Sequence, residues 1–333
     1  MAKDPAEKPK MIATRDAYGE ALAELGATHP EIVVLDADLS KSTKTMDFGK
    51  KFPDRFFNMG IAEANMMGVA AGLACCGKVP FASSFGIFAS GRAWEQVRNT
   101  ICYSALNVKI VATHGGVSVG ADGSSHQCIE DFATMSAIPT MRVLCPCDGP
   151  ETKKVIKAVA EAKGPFYVRL GRAKVPVITD PAAPFEIGKG YLMRDGGGSS
   201  RFSSNGNGGD VAIFACGSMV ASALEAAQML AADGVQAAIV NLPTIKPLDE
   251  ELIAKVASRT GAVVTAEEHV LRGGLGSAVA MALGRRCPVP LEMIGINDMF
   301  GQSGEPEELF KHYALTAGDI ALAAHRAIQR KKK

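Results

Sequence analysis

What the sequence lacks narrows it first. No apolar run approaches the roughly 20 residues that a bilayer-spanning helix needs, so no membrane partner is expected. Neither sign of charge is in excess: 36 Lys and Arg stand against 35 Asp and Glu, a formal net charge of +1. That balance argues against nucleic acid and against an anionic surface as partner. No two cysteines are spaced as CxxC. The eight, Cys75, Cys76, Cys102, Cys128, Cys145, Cys147, Cys216 and Cys287, are scattered. Several lie in apolar runs such as Val211–Cys216, and they read as buried free thiols of a reducing compartment. Cys145-Pro-Cys147 has no second ligand cluster to make a metal site with. The start, Met1–Lys10, lacks the apolar core of a signal peptide and carries acids that a transit peptide usually lacks. A cytoplasmic protein with no metal site of its own is expected.

What is present fits two globular domains. The chain has 333 residues, 47% apolar and 21% charged, enough for a sizeable core in each of two units. Its 35 glycines suit tight turns and close backbone approaches to a ligand. Short β-branched runs alternate with amphipathic stretches. Strands are expected at Ile32–Asp36, Val79–Ser83, Val108–Thr113, Met141–Cys145 and Phe166–Leu170. Helices are expected at Thr14–Thr28, with Thr14 as cap, and at Ile61–Cys76, Arg92–Tyr103 and Pro150–Lys163, the last opened by a proline. Pro176, Pro181 and Pro184 then break regular structure. Alternation resumes with strands at Ile187–Arg194, Val211–Cys216, Gln236–Asn241, Ala262–Glu267 and Leu291–Ile296. The helices between and after them are Met219–Asp233, Asp249–Arg259, Leu275–Arg285 and Ala317–Gln329. Strands separated by helices imply sheets covered on both faces. The fold class is therefore two doubly wound α/β domains, 11–172 with a parallel sheet and 186–330 with a mostly parallel one, joined by a linker, 173–185. The Gly-, Ser- and Asn-rich segment 196–209 reads as a hairpin insertion, and the cationic end at Arg330–Lys333 suits a helix terminus.

Four features carry chemistry. Glu63, in Asn58-Met-Gly-Ile-Ala-Glu63, is an acid at the start of an apolar helix, a position that by itself serves the helix dipole. Met59, Ile61 and Met67 would raise its pKa, and the helix start would lower it. Phe85 and Phe88 lie where a strand turns toward a helix, the edge at which α/β ligands bind, although core packing is the commoner fate of phenylalanine. Thr113-His114-Gly-Gly-Val-Ser-Val-Gly-Ala-Asp122-Gly-Ser-Ser-His126-Gln127 is too polar and glycine-rich for core and reads as a catalytic or binding loop. Arg15, Ser42 and Arg172 sit at or beside element ends, where arginine forks suit a phosphate.

Together these residues resemble the transketolase family. Gly60-Ile-Ala-Glu63, Ser84-Phe85-x-x-Phe88 and Asp122-Gly-Ser-Ser-His126-Gln127 occur in that family's order and register. Lys246-Pro-Leu-Asp249, Val264-Thr-Ala-Glu267-Glu268-His269 and Gly273-Gly-Leu-Gly276 extend the likeness over about residues 11–328. The C-terminal half of 1-deoxy-xylulose-5-phosphate synthase shares much of the pattern.

The resemblance implies a thiamine-diphosphate pyrimidine-binding domain followed by a transketolase C-terminal domain. It assigns Glu63 to N1′ of the aminopyrimidine, where a carboxyl favours the imino tautomer. Phe85 would stack on the ring with Phe88 beside it, and Asp38 would lie close to the cofactor. His114 and His126 would move protons at the sugar. Asp122 would accept from a substrate hydroxyl, and Arg15, Ser42 and Arg172 would hold the acceptor phosphate. The Gly-Asp-Gly…Asn motif that binds Mg²⁺ and the diphosphate is missing. An N-terminal transketolase subunit is therefore expected as partner, with Mg²⁺ on it, in an α₂β₂ assembly acting on sugar phosphates. Two positions depart from the pattern: Gly115 stands where an Asp is usual, and Gly91 near where an aromatic is usual. Other expectations are a subunit of another thiamine enzyme, such as the deoxyxylulose phosphate synthase or the β subunit of a 2-oxo acid dehydrogenase, or a module without catalysis.

Overall fold

The computed structural model describes residues 9–197 and 209–331; most of segment 196–209, read above as a hairpin insertion, lies outside the described residues. The first sheet runs, edge to edge, Thr244–Lys246, Arg142–Leu144, Phe166–Arg169, Lys109–Thr113, Val79–Phe85, Ile32–Asp36 and Phe56–Asn58. All neighbours pair in parallel except Thr244–Lys246, which is antiparallel to Arg142–Leu144. Ile32–Asp36 and Lys109–Thr113 are buried at every position, as a strand covered on both faces must be. On one face Thr14–Thr28 packs on Gly149–Glu161 through Tyr18, Leu22, Val155 and Ile156. On the other, Met66, Met67 and Phe132 join a core that continues through Phe214, Val240 and Leu242 of the second sheet. That sheet runs Leu291–Ile296, Val263–Val270, Val211–Ala215, Ala237–Asn241 and Tyr191–Arg194. Only the last strand is antiparallel. The chain thus has two α/β layers with mostly parallel sheets. Among the described residues no helix is long and apolar enough to cross a membrane.

Several polar residues act as fasteners. Asp148 caps Gly149–Glu161 by accepting from the Glu151 amide at 2.9 Å. Its second oxygen accepts from the amides of Ile178 and Thr179, which pins the proline-rich segment. Lys246 donates to the carbonyls of Ser136 and Ile138, and Asp249 caps Glu250–Thr260. Glu267 is fully buried and accepts from the amides of Leu275 and Gly276 at the start of the next helix. A Cβ on Gly274 would fall 2.1 Å from a Glu267 oxygen, so the glycines of Gly273–Gly276 make room for this carboxyl. Burial pushes Glu267 up to about 7.

Two local expectations change. Thr14 is the first helical residue, not the cap; Ala13 takes the cap position, and the Thr14 hydroxyl accepts from the Gly171 amide at 2.8 Å. The stretch expected as one helix over Arg92–Tyr103 is instead a wide-turned segment, with π-helix at Phe88–Arg92 and Gln96–Cys102. Its five-residue bonds run from the Ala93 amide to the Phe88 carbonyl and from Tyr103 to Arg98.

Where the two sheets meet, Arg169 is buried. Its Nε lies 3.5 Å from Asp131 Oδ2, and Nη2 donates to the carbonyls of Cys128 and Glu268. Removing one member of such a pair strands the other charge in the core. Arg169→Met should cost about 3–5 kcal/mol in denaturant unfolding. Adding Asp131→Asn should recover most of that loss, and a double variant no better than the single would refute this account.

Candidate active site

The C-terminal edges of five adjacent strands of the first sheet form one rim, where α/β proteins place ligands. Asp38 follows Ile32–Asp36, and Glu63 opens the helix after Phe56–Asn58. Phe85 ends its strand, His114 follows Lys109–Thr113, and Arg172 lies just beyond Phe166–Arg169.

One side of the rim is acidic and aromatic. Glu63 is 2% exposed, yet both its oxygens accept from Nη1 of Arg92, at 3.1 and 3.0 Å. The Arg92 guanidinium also covers the ring of Phe88 at 4.6 Å, a cation–π contact. Phe88 and Phe85 are near-parallel, centroids 6.0 Å apart. His126 stands edge-on to both, at 5.6 and 6.2 Å, and His114 stacks on Phe85 at 3.7 Å. Arg92, unremarked in the sequence, therefore joins Glu63 to the aromatic pair. The π-turn from Phe88 to Arg92 was the missing signal. Ile61 is 76% exposed and does not wall in Glu63 as its sequence position suggested.

The other side is basic. Arg15 Nη1 donates to the Ser42 carbonyl at 3.2 Å and to His114 Nε2 at 3.3 Å. Ser42 thus contributes its backbone here. Burial draws the Arg15 guanidinium down; Asp16 opposes this, Arg172 adds to it and Asp122 opposes it. Asp122 is exposed and Arg172 half-buried. Arg172 donates to the Val119 carbonyl. Asp38 stands apart from both groups. It exchanges hydrogen bonds with Asn58, which also holds the Gly60 amide, so its link is to the turn before Glu63. Among the described residues no cluster of His, Cys, Asp and Glu could hold a metal ion.

The joint between the two sides is His114, 2% exposed at φ 60°. Its Nε2 faces a permanent donor in Arg15, so that nitrogen accepts and the ring proton sits on Nδ1, 2.8 Å from the Thr113 hydroxyl. Burial, then Arg15, Arg172 and His126, push its pKa down to about 3.

A family model, the transketolase pyrimidine binding domain, matches residues 10–177, and another, the transketolase C-terminal domain, matches 203–320. The chain belongs to the transketolase family. It is 51% identical to a putative transketolase C-terminal section from Methanocaldococcus jannaschii, over 92% of this chain and 93% of that one. It is 42% identical to a 6-deoxy-6-sulfo-D-fructose transketolase subunit from a Clostridium species, over 95% of each. A solved structure titled as a split gene transketolase, inactive beta4 tetramer, matches with a TM-score of 0.87 at 53% identity, over 96% of this chain and 99% of that one. A transketolase pyrimidine-binding domain implies thiamine diphosphate. The residues suit its ring end: a carboxyl for a ring nitrogen, beside a partly exposed aromatic face at Phe88.

Of the two departures from the transketolase pattern, the one at Gly115 has a packing cause. A Cβ on Gly115 would fall 2.1 Å from Arg169 Nε, so no aspartate fits there. Gly91 is exposed, with only Ile87 within 4 Å, which leaves the aromatic's place open. The shifted His114 is testable by ¹⁵N NMR of histidine-labelled protein. Its ring should stay neutral, protonated at Nδ1, between about pH 5 and about pH 8. Titration near its ordinary 6.5 would refute the assignment.

Proposed function

We propose that this chain is the pyrimidine-side subunit of a split transketolase, moving a two-carbon ketol unit from a ketose phosphate to an aldose phosphate. The observation that carries the reading is the buried Glu63 carboxyl beside the Phe88–Phe85 pair, with His126 and His114 on the far side of the rings. Thiamine diphosphate, when bound, would supply a nucleophilic carbon, and its aminopyrimidine would be held by this chain. Glu63 serves this chemistry by hydrogen-bonding N1′ and favouring the imino form. Arg92 is half exposed, so its pairing with Glu63 is screened by water and the carboxyl can be shared with a ring nitrogen. Phe85 and Phe88 together offer the ring its aromatic wall, with His114 over Phe85 and Arg92 over Phe88.

His126 and His114 reach the substrate side, where proton transfer accompanies C–C cleavage. Arg15 and Arg172 bind the acceptor phosphate beside Ser42, and Asp122 accepts from a sugar hydroxyl. Asp38 steadies the turn that leads to Glu63 and adjoins the cofactor.

The diphosphate and Mg²⁺ belong on an N-terminal transketolase subunit in an α₂β₂ assembly. The names of the relatives, a C-terminal section and a subunit, support this. So does the helix that carries Glu63. Ile61, just before the helix, and Val69, on it, are 76% and 36% exposed, and a Cβ on Gly68 or Gly72 would meet nothing within 4 Å. An apolar face with close backbone access suits a protein partner. Cytoplasmic carbohydrate metabolism, including the pentose phosphate pathway, is the setting this reading implies.

Reconstitution tests it. The chain alone should show no ketol transfer, as the word inactive in the related tetramer's title suggests. Mixing with a transketolase N-terminal subunit, Mg²⁺ and thiamine diphosphate should give turnover on a panel of ketose and aldose phosphates supplemented with 6-deoxy-6-sulfo-D-fructose. Turnover by the chain alone, or none in any mixture, would sink the proposal. In the assembled enzyme Glu63→Ala should lower kcat by about 10²-fold or more. Arg172→Ala should raise KM for phosphorylated acceptors by about 10-fold. An equal rise for unphosphorylated sugars would count against the phosphate role.

A further inference from the structure

We propose that Glu268, on the second sheet, is the positioning residue through which the C-terminal domain sets the geometry of the loop between His114 and His126. The inference rests on the reading above for its kinetic arm only. Glu268 belongs to strand Val263–Val270 and is 7% exposed. One carboxylate oxygen accepts from the backbone amide of Ser118, midway along the loop, and the other accepts from the Ser218 hydroxyl at 2.8 Å. The Glu268 carbonyl accepts from Arg169 at 2.7 Å, which orients the strand at this residue. A charged acceptor on a buried amide makes one of the stronger hydrogen bonds in a protein.

The loop is built around this carboxylate. A Cβ on Gly116, at φ +81°, would fall 2.2 Å from Glu268 Oε1, and the Gly115 Cβ would strike Arg169. His114 is thus followed by two residues without side chains because Arg169 and Glu268 fill the space behind them. The second domain holds the loop elsewhere as well. Gln127, next to His126, donates to the Gln302 carbonyl at 2.9 Å, and Val270 donates to the Ile129 carbonyl at 2.8 Å. Of these contacts only that of Glu268 falls between the two histidines. A cavity of about 200 Å³, lined by Ser118, Ser218, Glu268 and Cys216, lies behind this point.

Two measurements on Glu268→Ala, Glu268→Gln and Ser218→Ala test this. In the chain alone, hydrogen exchange should rise about 10-fold across 116–122 in Glu268→Ala, with the sheets unchanged. Glu268→Gln keeps an acceptor for the Ser118 amide and should rise by about 3-fold or less. If Glu268→Ala does not fold, Ser218→Ala, which removes the donor to the other oxygen, should raise exchange across 116–122 by about 3-fold. In the reconstituted enzyme Glu268→Ala should lower kcat by about 10-fold or more, with thiamine diphosphate affinity unchanged and Glu268→Gln largely restored. Unaltered exchange across 116–122, or unaltered kcat with only a lower melting temperature, would overturn the proposal. An inactive wild-type mixture would instead sink the transketolase reading, and the exchange data alone would then decide the role of Glu268.

Discussion

The rim depends on a buried charge at the meeting of the two sheets. Arg169 is the hub: it pairs with Asp131 on one side and holds the carbonyls of Cys128 and Glu268 on the other. Cys128 follows the histidine loop and Glu268 reaches into it, so one guanidinium fixes both ends of the relation between scaffold and loop. A buried arginine must be fully matched to be tolerated, and that demand leaves the loop little freedom to drift. Arg169 also excludes a side chain at position 115, as Glu268 does at 116. The absence of the family's usual aspartate after His114 is therefore a packing consequence of Arg169.

Much of the architecture is legible in the sequence because parallel strands buried on both faces advertise themselves. Ile32–Asp36, Lys109–Thr113 and Val211–Ala215 are mostly apolar runs, and each is buried throughout. Thr244–Lys246 escapes because it is three residues long and pairs antiparallel with a strand about a hundred residues earlier; nothing local marks it. The π-turns at Phe88–Arg92 and Gln96–Cys102 escape for a related reason. Their composition suits a helix, and the extra residue per turn depends on what the segment packs against. Thr14 looks like a cap by type, but its hydroxyl is taken by Gly171 across the sheet.

The site was legible in its residue types and less so in its connections. Glu63, Phe85, Phe88, His114 and His126 stand out because polar and aromatic residues at strand ends have no packing excuse for clustering. Arg92 does not stand out, since an arginine on an exposed helix is ordinary. It gains meaning only when the wide turn aims it at both Glu63 and Phe88. Glu267 and Glu268 are adjacent in sequence and opposite in use. One is sealed into the start of a helix of its own domain, while the other crosses to the neighbouring loop. Alternation along a strand sends successive side chains to opposite faces, so this split follows from pleating alone.

The state of His114 follows from the same arrangement. Burial is the largest cause of its lowered pKa, ahead of Arg15 and Arg172. His114 is therefore suited to offer or receive a hydrogen bond as a neutral ring. His126 is partly exposed, and its Nδ1 contacts only the Ser125 hydroxyl beside it.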